Sequence, residues 1–287
     1  MSSNLWSQTG PNHNKRNVVA IGGDFGGKGS LGGLSPELAE RWAVSADATT
    51  FTFHLRKGVK WPDAAPLNGR ELTSADVKFT IERAMCTEAR GVGAPTLRAT
   101  IGQIETPNDS TVVLKLKTPN PFMAHFLSGN RGEGFIMPKK YMEQVGANAF
   151  NQKPMGSGPF RLTYHGFGSS IEMESKAQPH WRIGTPRFRY FEVRVVPEDT
   201  TRVALVTRGE GTVVVLSGGL VQSAKDRGIN VVIKNAENSV WLAFHDQWVA
   251  GNPLGNADVR KALSLAIDRK AISDKLSTFV ADINAIL

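Results

Sequence analysis

The chain has 287 residues, 40% of them hydrophobic and 21% charged, with a formal net charge of +8 and one cysteine, Cys86. That composition suits about two globular domains of roughly 100–200 residues each and excludes a disordered or fibrous chain. The longest apolar runs, such as 213–216, fall far short of the ~20 residues of a membrane-spanning helix, and a single cysteine excludes a disulfide framework.

Residues 1–17 are polar and loop-like, without the positive start and apolar core of a secretory leader. The apolar run 17–21 reads as a strand and leads into a glycine cluster over 22–33. Residues 34–42 (LSPELAERW) read as a short helix, with Ser35 at the N-cap, Pro36 in the first turn and Glu37 suited to the dipole. Residues 50–55 alternate, with Phe51, Phe53 and Leu55 on one face, as in a half-buried strand that ends before Gly58 and Pro62. The clearest helix of the first half spans 73–85. Thr73 and Asp76 form a capping box with Asp replacing Glu, and Val77, Ile81, Ala84 and Met85 share one apolar face. Two strands, 101–105 and 111–117, flank a turn of Pro107, Asn108, Asp109 and Ser110. A short helix or loop is expected over 119–127 and a helix over 138–145.

The segment PMGSGP (154–159) is glycine and proline punctuation, and 160–164 with 170–174 read as a hairpin around it. A longer strand is expected over 187–196, a helix over 199–207, and short buried strands of a parallel kind over 213–216 and 231–233. Residues 239–245 (SVWLAFH) read as another strand. Residues 258–277 read as one helix with Val259, Leu263, Ala266 and Ile267 on one face, Asn256 at the N-cap and Asp258 favouring the dipole. Helices and strands mix without strict alternation, so the expected class is mixed α/β, or α+β.

No catalytic constellation stands out. Gly22, Gly27 and Lys28 satisfy G-x-x-x-x-G-K, but Gly29 stands where a phosphate loop needs Ser or Thr, and Gly32 and Gly33 oppose the helix that must follow. The six histidines form no pair within helical reach, and Cys86 follows a helical core face and reads as packing, so no metal or other cofactor is expected. Ser157 lies in M-G-S-G-P without the outer glycines of a nucleophile elbow. Glu172 and Glu174 share a strand face with nothing to mark them as acid and base. An enzyme is therefore not expected, and a binding protein gains by subtraction. Arg182, Arg187, Arg189 and Arg194 make the densest basic stretch, which reads as a solvated strand face; the charge keeps nucleic-acid binding as a rival. Arg260 and Asp268 read as capping and surface-pairing residues of their helix.

Four blocks in order carry a resemblance. The first is 38–85, with LRKGVKW and then LTSADVKFTIERA; the second is Asn120-Pro121-Phe122 with Met137-Pro138-Lys139. The third is 154–162 (PMGSGPFRL), then His180-Trp181 and 191–205; the fourth is 256–271 (NADVRKALSLAIDRKA). Together they resemble the family 5 extracellular solute-binding proteins of ABC transporters, the oligopeptide- and dipeptide-binding group. The resemblance implies a two-lobed periplasmic-binding-protein-like fold, truncated here at both ends to one lobe plus the start of the second. On it, 1–33 is a poorly matched segment, 34–152 a small subdomain of the first lobe, 153–238 the central part of that lobe, and 239–287 the hinge strand and the start of an incomplete second lobe. One local departure is that Gly209-Glu210 is followed by Gly211-Thr212, where the family often carries Asp.

By resemblance the chain is the solute-binding component of an importer. It would capture a peptide or related small solute between two lobes, close about a hinge, and deliver the solute to the permease subunits of the membrane. An extended peptide suits such a cleft because its backbone can pair with strand edges, while its charged ends need matching charges. The implied location is periplasmic or at the cell surface, the implied state a monomer, and no nucleic acid is expected. Trp241 and His245, which alternate with Leu242 and Phe244 on the hinge strand, are the candidate ligand-facing residues, with ordinary strand packing as the competing reading; Trp42 and Trp61 read as core. The alternative to the whole reading is a non-functional fragment of such a protein.

Overall fold

The computed structural model describes residues 21–24, 33–87, 91, 93–127, 135–182, 184–216, 218–232, 244 and 246–276. The chain divides into two compact units, Met1–Val195 and Val196–Leu287. The first unit begins with β1 (Ile21–Asp24), paired antiparallel with β2 (Gly33–Pro36) so that Asp24 lies opposite Gly33. Gly22 is therefore a strand residue, and its strand leads to another strand rather than to the helix a phosphate loop requires.

The helix expected over 34–42 is not formed. Its residues belong to β2, to the bend at Glu37 and Leu38, and to β3 (Ala39–Val44), and Ser35 is a strand residue rather than an N-cap. The reason is non-local: Trp42 and Val44 stand opposite Phe53 and Phe51 of β4 (Thr50–Leu55), and Leu38 and Ala39 are buried in the core. Ladder bonds and burial outweigh the weak helical preference of LSPELAERW. Strand β4 has the expected bounds and alternation, with Phe51, Phe53 and Leu55 buried.

Helix α1 (Ser74–Ala84) starts at Thr73 with the expected capping box. It buries Val77 and Ile81, and Ala84 and Met85 pack against the same core. Helix α2 (Ala94–Thr100) feeds β5 (Ile101–Asn108), which turns into β6 (Thr111–Leu116). The turn is held by Asn108, whose Oδ1 accepts from the Ser110 N–H at 3.0 Å. The antiparallel sheet runs β3-β4-β6-β5. Helices α3 (Met123–Phe126) and α4 (Lys139–Gln152) follow, and Gly146, at φ 75°, breaks α4 where the sequence suggested its end.

One carboxylate ties these elements together. Asp76, 1% exposed along its side chain, accepts from Trp61 Nε1 at 3.1 Å, from Arg70 at 2.8 and 2.7 Å, from the Thr73 N–H at 3.1 Å and from the Lys139 N–H at 2.9 Å. Beside it, Thr80 Oγ1 donates to the Asp76 carbonyl and accepts from the Met137 N–H at 2.9 Å.

The first unit also holds a second antiparallel sheet, β7 (Phe160–Gly166), β8 (Ser170–Ser175) and β9 (Tyr190–Arg194), in that order. Its first hairpin turns at 167–169, where the Ser169 N–H reaches the Gly166 carbonyl; PMGSGP precedes the hairpin instead of lying inside it. Leu162, Met173 and Phe191 stand in register on one face, and Phe160 stacks on Phe188 at 5.3 Å. The other face is a ladder of ion pairs: Glu174 meets Arg161 at 2.5 Å and Arg189 at 3.0 Å, and Glu192 meets Arg194 at 2.6 Å. Arg161 and then Arg189 hold the Glu174 carboxyl below the usual carboxylate range. The basic stretch is thus solvated and paired at Arg194 of β9 and at Arg189 in the bend just before it, whereas Arg182 lies in a turn.

In the second unit, α5 (Asp199–Thr207) has the expected bounds. Arg202 braces its start, donating to Asp199 and to the carbonyls of Val196, Pro197 and Val215. The expected buried strand over 213–216 is not formed: Val213 and Val215 are 86% and 80% exposed and join no ladder among the described residues. Val232 of the other expected strand is 73% exposed, and Ile233 lies outside the described residues. Between these segments stands α6 (Val221–Asp226). The helix expected over 258–277 is two helices, α7 (Ala257–Ala266) and α8 (Arg269–Leu276). Ile267 adopts extended backbone at ψ 113°, and Asp268 Oδ1 accepts from the Ala271 N–H, so a second cap competes with continuation. Asn256 caps α7 as expected, but none of α7 is buried and Leu263 is exposed, against the apolar face the sequence suggested. Among the described residues no helix is long and apolar enough to cross a membrane.

Replacing Asp76 by Ala would strand Trp61 Nε1, two backbone N–H groups and a guanidinium. The expected loss is about 3–5 kcal/mol in urea unfolding followed by tryptophan fluorescence. Glu82→Ala, which removes only an exposed i,i+4 pair with Lys78, is expected to change stability by at most about 0.5 kcal/mol.

Candidate functional site

Trp241 and His245 lie outside the described residues, and of the strand expected over 239–245 only Phe244 is described, half-buried. What the structure does bring together is the glycine–proline corner 154–159, the turn 180–184, and two residues of the first sheet's border, Glu37 and Arg56.

His180 is buried, and its backbone pairs in both directions with Gly184 at 3.0 and 2.8 Å. Gly184 sits at φ 64°, which suits glycine, and the Arg182 N–H donates to His180 Nδ1 at 3.3 Å. This tight turn fixes Trp181, which packs against the main core, with the Arg56 guanidinium 4.6 Å above its ring. Arg56 Nε also donates to the Glu37 carbonyl at 3.4 Å, and Arg182 pairs with the Glu37 carboxylate. Glu37 is fully buried while Arg182 is 43% exposed, so the pair spans the boundary between core and solvent. Glu37 Oε2 and Trp181 Nε1 are buried without a hydrogen-bond partner among the described residues.

Lys176 closes the other side of the corner. Its N–H donates to the Pro159 carbonyl at 2.9 Å and its Nζ to the Gly156 carbonyl at 2.7 Å. Burial pulls its ammonium down to about 8. Ser157, at the same corner, is buried rather than presented as a nucleophile elbow. Among the described residues no group of three His, Cys, Asp or Glu could hold a metal ion. The arrangement anchors segments to one another and offers no nucleophile paired with a base.

The motif blocks thus find one another. Asp76 of the first block, itself bonded by Trp61, holds Lys139 of the second; Thr80 of the first holds Met137 of the second; Arg56 of the first covers Trp181 of the third. In the fourth block, Arg260 donates to the Leu254 and Gly255 carbonyls at 2.8 and 3.0 Å, and Arg269 to the Ser264 carbonyl and hydroxyl. Arg260 and Asp268 therefore serve local turns and caps. Sequence reading missed the Glu37–Arg182 pair, because nothing local in PELA or HWR announces a partner so distant in the chain.

A family model described as bacterial extracellular solute-binding proteins, family 5 middle, matches residues 33–282. The dipeptide-binding protein of Escherichia coli is 29% identical over 259 residues, covering 83% of this chain and 46% of its own. Heme-binding protein A of Haemophilus influenzae is 27% identical over 260 residues, with the same coverage of 83% and 46%. The solved structure of a binding protein of A. tumefaciens R10 in complex with mannopinic acid aligns with a TM-score of 0.69 and 23% identity, over 96% of this chain and 55% of that one. The chain spans about half the length of the curated relatives it matches.

Two outcomes follow from the geometry. Arg182→Met, which leaves the Glu37 carboxylate buried and alone, is expected to destabilise by about 2 kcal/mol, and adding Glu37→Gln should recover part of that loss in a double-mutant cycle. Lys176 binds its proton less tightly folded, at about 8, than unfolded, near 10.5. The unfolded state therefore holds more protons between those values, and this residue's contribution to stability rises with pH across that window and is flat below it. The difference between the parent and Lys176→Met in chemical unfolding, followed from pH 7 to 10, checks the sign.

Proposed function

The chain belongs to the family 5 bacterial extracellular solute-binding proteins, and from that premise we propose that it carries the solute-capturing half of an ABC importer's receptor. The observation that carries the reading is the family match over 33–282, supported by the likeness of fold and by motif blocks that join in space as frame elements. The solute is a peptide or a related small compound. The relatives carry the names of dipeptide and heme binders, and the aligned structure holds mannopinic acid, so the common class is a small solute with polar ends. Capture between two lobes precedes hand-over to the membrane permease, outside the cytoplasmic membrane. The family is one of solute-binding proteins, which are not enzymes, and we read the chain the same way. By the family resemblance, Trp241 and His245 remain the candidate solute-facing residues, and they would give stacking area and a titratable donor to a peptide.

A second reading has its own observation. Val213, Val215 and Val232 are exposed where apolar segments ought to be covered, which suits a fragment that binds no solute by itself.

Titration of the polypeptide with dipeptides to pentapeptides, read by intrinsic fluorescence and melting temperature, separates the two. Solute capture predicts saturable binding, with a stabilisation of about 2.7 kcal/mol at a hundredfold excess over Kd, and at least about tenfold weaker binding in Trp241→Ala. No response to any peptide, with a broad melt and strong binding of the dye ANS, would overturn it in favour of the fragment.

A further inference from the structure

Strand β3 is an edge of its sheet, because the order β3-β4-β6-β5 gives it a neighbour on one side alone among the described residues. Which of its backbone groups face that edge follows from the ladder, since only alternate pairs of an antiparallel ladder exchange their bonds. The Ser45 N–H donates to the Thr50 carbonyl at 2.9 Å, and the pairs Ala43 with Thr52 and Arg41 with His54 continue the same register in steps of two. The far side of β4 agrees. The Leu55 N–H reaches the Ser110 carbonyl and the Leu116 N–H the Thr49 carbonyl, so Phe51, Phe53 and Leu55 bond β6 and leave Thr50, Thr52 and His54 for β3. Trp42 and Val44 therefore direct both N–H and C=O away from β4, and among the described residues neither makes a further hydrogen bond. Such an edge is a template for another strand, and proteins guard it with proline, lysine or a bulge. β3 has a bulge between Ala39 and Arg41, but neither proline nor lysine over 41–44 (RWAV).

The side chains select one partner. Val44, 45% exposed, and half-buried Trp42 lie on the core side of the sheet, while Arg41 and Ala43 are exposed on the other. An antiparallel copy of the same strand, related by a two-fold axis at Ala43, sets Trp42 opposite Val44 twice, each time an aromatic and β-branched pair. The residue that meets its own copy on the axis is alanine, which brings neither bulk nor like charge. Arg41 then stands opposite Ser45 of the second copy, at the mouth of the turn that carries Asp47. Among the described residues Arg41 has no acidic partner, and Asp47 is bonded only within its turn, by Ser45 and Thr49. Each chain thus offers one spare cation and one spare anion, and the two-fold brings them together twice. We propose that β3 is a self-association edge, to which a second copy of this chain adds its own β3 in the register Trp42 opposite Val44. The Trp42 and Val44 N–H groups of each chain donate to the Val44 and Trp42 carbonyls of the other, and the two sheets become continuous. The contact is small, so the dimer is weak and concentration-dependent, in place of the monomer that the family resemblance implies.

Sedimentation velocity of the full chain from about 5 to 500 μM, a range suited to a weak contact, is the test. The weight-average mass is expected to rise from that of one chain towards that of two. Ala43→Lys, at an exposed position outside the core, sets two ammonium groups on the axis and should weaken association at least about tenfold. Val44→Pro, which deletes an outward N–H and no bond to β4, should do the same. In a Cys86→Ser background, Ala43→Cys should form a disulfide-linked dimer under mild oxidation, because residues directly opposed in a non-hydrogen-bonded pair lie close enough to bridge. Gln103→Cys, on the far edge strand β5, should not. A chain that stays monomeric over the whole range overturns the proposal. So does association that both Ala43→Lys and Val44→Pro leave unchanged, or that gives no Ala43→Cys cross-link, either of which assigns the contact to another surface such as the exposed Val213 and Val215.

Discussion

The first unit depends on the Asp76 carboxylate having no spare lone pair. It sits three residues into α1, where its Oδ2 returns a bond to the Thr73 N–H, and its Oδ1 receives the first N–H of α4. One buried charge therefore serves the positive ends of two helices, which favours an anion at both. Arg70 and Trp61 complete the shell, with the Arg70 guanidinium 5.9 Å from the Trp61 ring. A buried carboxylate is tolerated only when its charge is matched and its acceptors are filled. Here that requirement fixes four segments at once: the loop around Trp61, the start of α1, the extended stretch at Arg70, and the approach to α4. Phe51, Phe53 and Leu114 of the sheet share one buried core with Val77 and Ile81 of α1.

The parts of the fold legible in the sequence are those whose signals are local. Thr50–Leu55 declares itself by alternation, Ser74–Ala84 by its cap and apolar spacing, the β5–β6 turn by Asn108 and Ser110, and Asp199–Thr207 by its acidic start. The failures are equally physical. LSPELAERW carries respectable helix signals, and only the opposed strand, with Phe51 and Phe53 awaiting partners, makes Ala39–Val44 extended. Over 258–277 the apolar spacing continues past Ile267, but a second carboxylate cap at Asp268 ends the run first. Val213 and Val215 show the limit of composition: an apolar run says that a segment wants cover and says nothing of what covers it. Of the site, Trp241 and His245 rested on resemblance, while Glu37 with Arg182 had no signal in the sequence.

The basic charge acquires a different meaning once it is located. Counted by unit, 24 Lys and Arg stand against 16 Asp and Glu in Met1–Val195, and 10 against 10 in Val196–Leu287, so the whole excess lies in the first. Three of the four arginines in its densest stretch are nevertheless committed: Arg182 to Glu37, Arg189 to Glu174 and Arg194 to Glu192. A phosphate-tracking surface needs free cations in a row, and this face instead alternates cation and carboxylate. The rival reading as a nucleic-acid binder loses its structural footing there.

Three buried ionic groups of this unit differ in how completely they are satisfied, and the difference sorts scaffold from reactivity. Asp76 has every acceptor filled and behaves as a joint. Glu37 has its arginine but, among the described residues, one oxygen without a donor, and it lies where the β2–β3 connection meets the turn carrying Trp181, so it holds two segments together with something left over. Lys176 has a single neutral carbonyl and, among the described residues, no counter-charge, which leaves its proton loosely held. Burial alone thus assigns no role. What matters is whether the protein replaces the water it removes: where replacement is complete the group becomes frame, and where it is partial the group keeps a chemistry that the rest of the fold does not consume.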